Sequence, residues 1–186
     1  MVPFSKLYER AGEGGTPSTS ERAYYDNGDI PFIKIDDLKS KYITKHQDNI
    51  SELGLKNSSA WIIPENSIIY SNGATIGAVS INTYPISTKQ GILGVVPISL
   101  VNTEYLYYLM SSTFFTKEIN RIVTEGTMKT AYLKDINKIR CPYPPLDTQI
   151  KIAKRLTSIS EKLEVDMKIL EQYRLQKDVL LSQLFI

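Results

Sequence analysis

Cysteine and histidine are almost missing from this sequence: it contains one of each, Cys141 and His46. A single cysteine forms no internal disulfide. With one histidine it also leaves no Cys/His set for zinc, whose sites take three or four convergent ligands. Ser/His/Asp or Cys/His hydrolysis has to use His46, far from Cys141 in the chain, and no serine sits in a nucleophile elbow. Both residues therefore read as structurally ordinary. The Gly-Lys-Ser/Thr of a phosphate-cradling loop is missing too, because "EGGTPSTS" at 13–20 holds no lysine. "SNGATIG" at 71–77 is spaced by glycine but opens no helix, and reads as a turn. Asp29, Asp37 and Lys39 supply the acid, acid and lysine of a metal nuclease, yet two carboxylates close in sequence are commonplace at exposed strand ends. "CPYPP" has the letters of an adenine-methyltransferase tetrapeptide in the wrong order and lacks the Asn or Asp that holds the target amine. The inventory points to a binding protein and not an enzyme.

Long apolar runs are lacking as well. Neither the opening "MVPFSKLYER" nor any other stretch is an apolar run of the roughly 18 residues that a membrane span needs, so the expectation is a cytoplasmic protein without membrane contact. Charge of one sign is not in excess. At +2 formal charge, 42% hydrophobic and 23% charged residues, the chain is globular, and any nucleic-acid surface has to be a local patch. Its 186 residues suit one domain, or one domain with an appendage.

What is present changes character along the chain. "EGGTPSTSERAYYDNGDIPFIKIDDL" at 13–38 begins as a polar loop and ends in a predicted strand, with Ile33 and Ile35 on one face and Lys34 and Asp36 on the other. A helical turn ending near Gly54 follows, then short strands at "AWII", "SIIY" and "IGAVSI" separated by Pro, Asn and Gly, and another strand in "STKQGILGVVPI". Thr103 is predicted to cap a helix, "EYLYYLMSSTFFTKEINRIV", with Glu104 in its first turn and its Tyr, Leu and Phe residues in the core. Pro142, Pro144 and Pro145 then enforce extended backbone. The expected fold class is α+β: a compact β-rich domain over 1–145 and one long C-terminal helix over 146–186.

From Leu146 onward there is neither Gly nor Pro. Ile152, Leu156, Ile159, Leu163, Leu170, Tyr173, Leu180 and Leu184 recur in alternating steps of three and four, which is a heptad seam. Asp166 and Lys177 are its polar positions. In two copies paired antiparallel about a point between Glu171 and Gln172, each Asp166 faces the other chain's Lys177, which fixes register and orientation together. The alternative is a helix folded back on its own domain with both charges snorkelling to water.

Four stretches in order carry a resemblance: "GGTPSTSERAYYDNGDIPFIKIDDL" (14–38), "GLKNSSAWIIPENSIIYSNGATIGAVSI" (54–81), "STKQG" (87–91) and "YPPLDTQIKIAKRL" (143–156). Together they resemble the specificity (S) subunit of type I restriction-modification systems, with one target-recognition domain and one conserved helical region where family members normally carry two of each. The departure is Lys89, where Asn is common before the Gln. The resemblance implies a half-size specificity subunit. Its antiparallel homodimer rebuilds the full-length layout and reads a palindromic, interrupted site in double-stranded DNA, the helix pair acting as the ruler.

On that reading the opening loop offers short donors and acceptors for base edges: Thr16, Ser18, Thr19 and Ser20, stiffened by Pro17. Lys34, Lys39, Lys41 and Lys45 surround it as phosphate contacts. Lys89, Gln90, Lys129, Thr130 and Lys134 form a second polar, basic set, in which Gln90 can pair bidentately with adenine. Dimerisation falls to Leu156, Ile159, Leu163, Asp166, Leu170, Tyr173, Lys177, Leu180 and Leu184. The resemblance further implies a modification subunit that binds S-adenosylmethionine and methylates adenine at N6, and a restriction subunit that uses ATP and Mg, with no cofactor in this chain. Two rivals stand beside it. One is the specificity chain of a related system whose partner fuses methyltransferase and nuclease; the other is a decoy that occupies the modification subunit without reading DNA.

Overall fold

The computed structural model describes residues 1–73, 75–123 and 129–185. In chain order the elements are β1 (Val2–Pro3), β2 (Tyr8–Glu13), β3 (Ile30–Ile33), β4 (Tyr42–Ile43), β5 (Asp48–Ile50), α1 (Glu52–Lys56), β6 (Ile68–Ser71), β7 (Val79–Asn82), β8 (Ser87–Thr88), β9 (Ile92–Pro97), α2 (Thr103–Ser111), α3 (Thr113–Ile122), α4 (Leu133–Ile136), β10 (Arg140–Cys141) and α5 (Leu146–Leu184). The α+β class and the long terminal helix are as expected. The turn expected over 71–77 includes position 74, and the segment 146–186 ends at 186; both positions lie outside the described residues.

The strands form a five-stranded sheet in the order β2-β9-β6-β7-β4, a three-stranded sheet β5-β3-β8, and the pair β1-β10. β6 lies at the centre of the larger sheet, and its period of two feeds two cores at once. Ile68 and Tyr70 point to one side, with Leu93 and Val95 of β9, and pack against Phe4, Leu106, Met110, Phe115 and Ile136. Ile69 points to the other side and meets Ile33, Ile43, Ile63, Ile86 and Ile92 between the two sheets. On that second face of β9 there is no room for a side chain at Gly94, where a Cβ would lie 2.4 Å from the Cδ1 of Ile63. The pair β1-β10 brings the N-terminus beside the segment that opens α5.

Several local expectations are corrected. Two strands that the sequence pattern does not announce, β1 and β2, precede the polar loop. Phe32 and Ile33 point to opposite faces of β3 and are both buried, so the expected alternation fails, and Ile35 belongs to a 3-10 turn, Ile35–Asp37. "AWII" contributes only an isolated bridge, Ile63 with Ile86. Gly54 lies inside α1 and not at its end, pressed against the Tyr24 carbonyl, with Ser51 as the N-cap.

The helix predicted over 104–123 is two helices. Ser112 stays extended (φ −74°, ψ 153°), ends α2 and caps α3 by accepting the Phe115 N–H at 3.2 Å. The cap of α2 is Asn102, one residue before the predicted Thr103, whose hydroxyl donates to the Asn66 carbonyl instead.

α5 starts at Leu146 behind Pro145, a residue that suits a helix N-terminus because it needs no N–H partner. Its first turns belong to the body, where Gln149 and Ala153 are buried. Beyond them the seam is open to solvent: Leu163 is 57% exposed, Leu170 50%, Tyr173 65% and Leu184 73%. The helix does not fold back on its own domain.

Candidate nucleic-acid interface

The corner joining β8 to β9, Lys89-Gln90-Gly91, is held by its backbone from four sides. Lys89 N–H donates to Ile33 O at 2.9 Å, and Gly91 O accepts from Asn72 N–H at 3.0 Å and Gly73 N–H at 3.2 Å. Gly91 N–H donates to Glu13 Oε1 at 2.7 Å, and Gln90 N–H reaches Thr16 Oγ1 at 3.4 Å. Gly91 has φ +86°, a left-handed conformation that glycine adopts without strain. With the backbone so committed, the side chains of Lys89 and Gln90 are left exposed to solvent. A stiff scaffold with free polar tips is what base-edge recognition requires.

Two shallow clefts flank this corner and share Lys89, Gln90 and Gly91. One, of about 380 Å³, is also lined by Glu13, Thr16, Gly73 and Thr130. The other, of about 220 Å³, is lined by Lys34, Ile35, Asp36, Ser71 and Thr75 among others. The fold therefore gathers Thr16, Lys34, Lys89, Gln90 and Thr130 from four separate parts of the sequence. Thr130 is brought there by its neighbour Ala131, whose N–H donates to Asn72 O at 2.9 Å while Asn72 Nδ2 donates to Ala131 O at 3.2 Å.

The glycine pair of the polar loop is structural. A Cβ at Gly14 would lie 2.1 Å from Thr88 O, and one at Gly15 would lie 2.4 Å from Ala60 N, so only glycine lets the loop run against the corner. Pro17 is buried and its carbonyl accepts the Tyr25 hydroxyl at 2.6 Å, whereas Ser18, Thr19 and Ser20 are exposed just beyond it. Ser18 and Ser20 pair through their hydroxyls at 2.7 Å, which leaves Thr19 the freer donor.

The lysines divide into kinds. Lys34 is half exposed and pairs with Asp48 at 2.8 Å. Lys39 is exposed a few residues past the cleft wall at Ile35 and Asp36, Lys45 is exposed after β4, and Lys129 is exposed beside Thr130. Lys134 stands on α4 with its ammonium 5.5 Å from the Tyr132 ring centre.

Lys41 is a correction, because it is no free phosphate contact. Its side chain is only 17% exposed and pairs with Glu104 Oε2 at 3.2 Å. Its ammonium donates to Thr157 Oγ1 at 2.8 Å and to Tyr108 OH at 3.4 Å. Burial pulls the Lys41 ammonium down, but Glu104 and Tyr108 outweigh it and hold it above its ordinary value. Burial likewise pushes the Glu104 carboxyl up, yet hydrogen bonds from Tyr42, Thr157 and Lys41 together keep it below the usual range. No sequence pattern marked this cluster.

The remaining chemistry-bearing groups are quiet. His46 is tied by Nδ1 to Tyr84 OH at 2.8 Å and by Nε2 to Asn49 Oδ1 at 3.0 Å. Cys141 is buried, and burial pushes its thiol up to about 12. Among the described residues, no three His, Cys, Asp or Glu side chains gather to hold a metal ion, and no helix is long and apolar enough to cross a membrane.

The fold is a β-rich body carried on a long helix whose seam is open to solvent. Residues 7–172 match the family described as type I restriction modification DNA specificity domain, and the chain belongs to that family. It is 33% identical over 169 residues to the type I restriction enzyme MjaIX specificity subunit of Methanocaldococcus jannaschii, covering 88% of this chain and 39% of that one. To the HindI specificity subunit of Haemophilus influenzae it is 32% identical over 176 residues, covering 92% and 38%. The chain thus spans about two fifths of the length of these curated relatives. Its fold is similar to the HsdS subunit from Thermoanaerobacter tengcongensis, with a TM-score of 0.64 at 17% identity over 88% of this chain and 37% of that one. It is also similar to the S subunit of a type I system from M. genitalium, with a TM-score of 0.60 at 15% identity, covering 98% and 44%.

Proposed function

We propose that this chain is the DNA-reading component of a type I restriction-modification system. Segment 1–145 recognises one half of a split site in double-stranded DNA, and segment 146–186 pairs antiparallel with a second copy. The observation that carries this reading is the corner at 89–91, where three tied backbone N–H groups and the bound Gly91 carbonyl present exposed Lys89 and Gln90 side chains between two clefts.

Gln90 is the base reader, donating and accepting on an adenine edge in the major groove. Thr16, Lys34, Lys89 and Thr130 line the same surface, and Ser18, Thr19 and Ser20 extend it along the loop. Lys39, Lys129 and Lys134 hold phosphates at its rim, positioning the body without reading sequence. The near balance of acids and bases at the corner suits base edges better than a phosphate track.

The exposed seam supports the dimer, since a monomer leaves a row of apolar side chains in water. In the antiparallel register Leu163 meets the partner's Leu180, Asp166 the partner's Lys177, and Leu170 the partner's Tyr173. Ile159 meets the partner's Leu184, and Leu156 lies at the edge of the seam. Two identical bodies at opposite ends read a palindromic, interrupted site. The chain itself performs no chemistry. A modification subunit holding S-adenosylmethionine methylates adenine in the site, a restriction subunit using ATP and Mg cuts unmodified DNA, and the assembly works in the cytoplasm. Selection from a random duplex library with the purified chain is expected to enrich one symmetric split sequence; an absence of sequence preference would overturn the reading.

A further inference from the structure

α5 leaves the body at one joint, and that joint holds a polar cluster in which apolar packing would have sufficed for adhesion. Lys41, just ahead of β4, contacts Thr157 of α5 at 2.8 Å and Glu104 of α2 at 3.2 Å. The Thr157 hydroxyl donates to Glu104 Oε2 at 2.8 Å, and the Tyr42 hydroxyl donates to the other carboxylate oxygen. Tyr108 OH lies 3.1 Å from Thr157 Oγ1 and 3.4 Å from Ser160 Oγ. The Lys41 ammonium also lies 4.9 Å from the Tyr108 ring centre and 5.1 Å from that of Tyr42. Three elements meet in this cluster, and beyond Ser160 the helix seam is exposed.

Apolar contacts tolerate small rotations, whereas a hydrogen-bonded charge cluster is satisfied in one arrangement. The lever that it holds is long. From Thr157 to the dyad between Glu171 and Gln172 is roughly 22 Å at about 1.5 Å per residue. A tilt of ~10° at the joint displaces that dyad mainly across the helix axis, but it also swings the body, and a recognition surface roughly 19 Å from the axis, about the radius of a domain of this size, travels ~3 Å along the helix, close to the ~3.4 Å step between base pairs. Both arms of a two-fold dimer tilt together, so a smaller error at each joint already amounts to one base pair.

We infer that the Lys41, Glu104 and Thr157 joint fixes the angle between body and helix and thereby the spacer length between the half-sites, an inference that rests on the dimeric reading above. These three are positioning residues and touch no DNA. Their effect is on the distance between half-sites and not on the bases within them.

The test is a duplex library in which both half-sites are kept and the spacer varies, selected by the full chain and by Lys41→Met, Thr157→Val and Thr157→Ser. Loss of one charge-assisted hydrogen bond is worth roughly tenfold in an equilibrium. The preference for the native spacer over its one-base-pair neighbours is expected to fall by about that factor in Lys41→Met and Thr157→Val, with half-site bases unchanged. Thr157→Ser, which keeps the hydroxyl, is expected to restore the single spacer. Folded variants that keep the native spacer preference, or that change the half-site bases, would overturn the inference. A wild-type chain that dimerises but selects no split site overturns the DNA reading, and the spacer role with it.

Discussion

Gln149 fastens the base of the long helix to the body, and its removal has a calculable effect. The side chain is fully buried, and its amide makes three hydrogen bonds: Nε2 donates to Pro144 O at 2.9 Å and to Leu100 O at 3.1 Å, while Oε1 accepts the Asn102 N–H at 2.9 Å. Asn102 is the N-cap of α2, so its own N–H has no helical partner to return to. At about 1 kcal/mol per neutral hydrogen bond, Gln149→Ala loses roughly 3 kcal/mol, reduced to ~2 where the Leu100 and Pro144 carbonyls turn to water. For a domain of this size, a loss of ~2–3 kcal/mol lowers Tm by roughly 4–12 °C. Differential scanning calorimetry at fixed protein concentration measures it, because a dimerising chain has a concentration-dependent Tm. Gln149→Glu is expected to fare worse, since it keeps one acceptor but loses both donors and buries a charge. A Gln149→Ala protein that melts within about 1 °C of the parent would refute this account of how the helix is anchored.

Other perturbations separate the remaining roles. Gln90→Ala is expected to relax base preference at one position of each half-site in a library selection, whereas Lys39→Ala lowers affinity on every sequence and reduces the salt slope by about one. Asp166→Lys alone is expected to weaken the dimer in light scattering, and Asp166→Lys with Lys177→Asp to restore it; no change in either would remove the proposed register. Glu104, held below the usual carboxylate range when folded, contributes stability that is complete above that range and lost as pH falls through its depressed value. Acid titration of Tm is therefore expected to show a component, absent from Glu104→Gln, that disappears below the ordinary carboxylate range.

The sequence displayed the helix most clearly, because a period of alternating threes and fours without Gly or Pro is a local signal that needs no tertiary information. It displayed the existence of the strands less well. β3 has two adjacent buried residues, Phe32 and Ile33, on opposite faces, and burial of both faces erases alternation. Ser112 split one predicted helix into two through a side-chain cap, a competition with helix hydrogen bonding that composition conceals. The corner was half legible: Lys89 and Gln90 stood in a recognisable stretch, and so did Thr16 and Lys34, but their meeting depends on the parallel pairing of β3 with β8 and on the contacts of Gly14 and Gly15. Lys41 was misread because nothing near it in sequence announces Glu104 or Thr157, which lie 63 and 116 positions away. A free surface lysine and a half-buried, paired one look alike until the fold brings their partners.

The most direct test of the central claim is to co-express this chain with its cognate methyltransferase in a methylation-free bacterial host and map modified adenines by single-molecule sequencing. The account predicts one palindromic motif with a fixed gap, methylated on both halves. Modification without a symmetric split motif, or a complex that forms and modifies nothing, would contradict it.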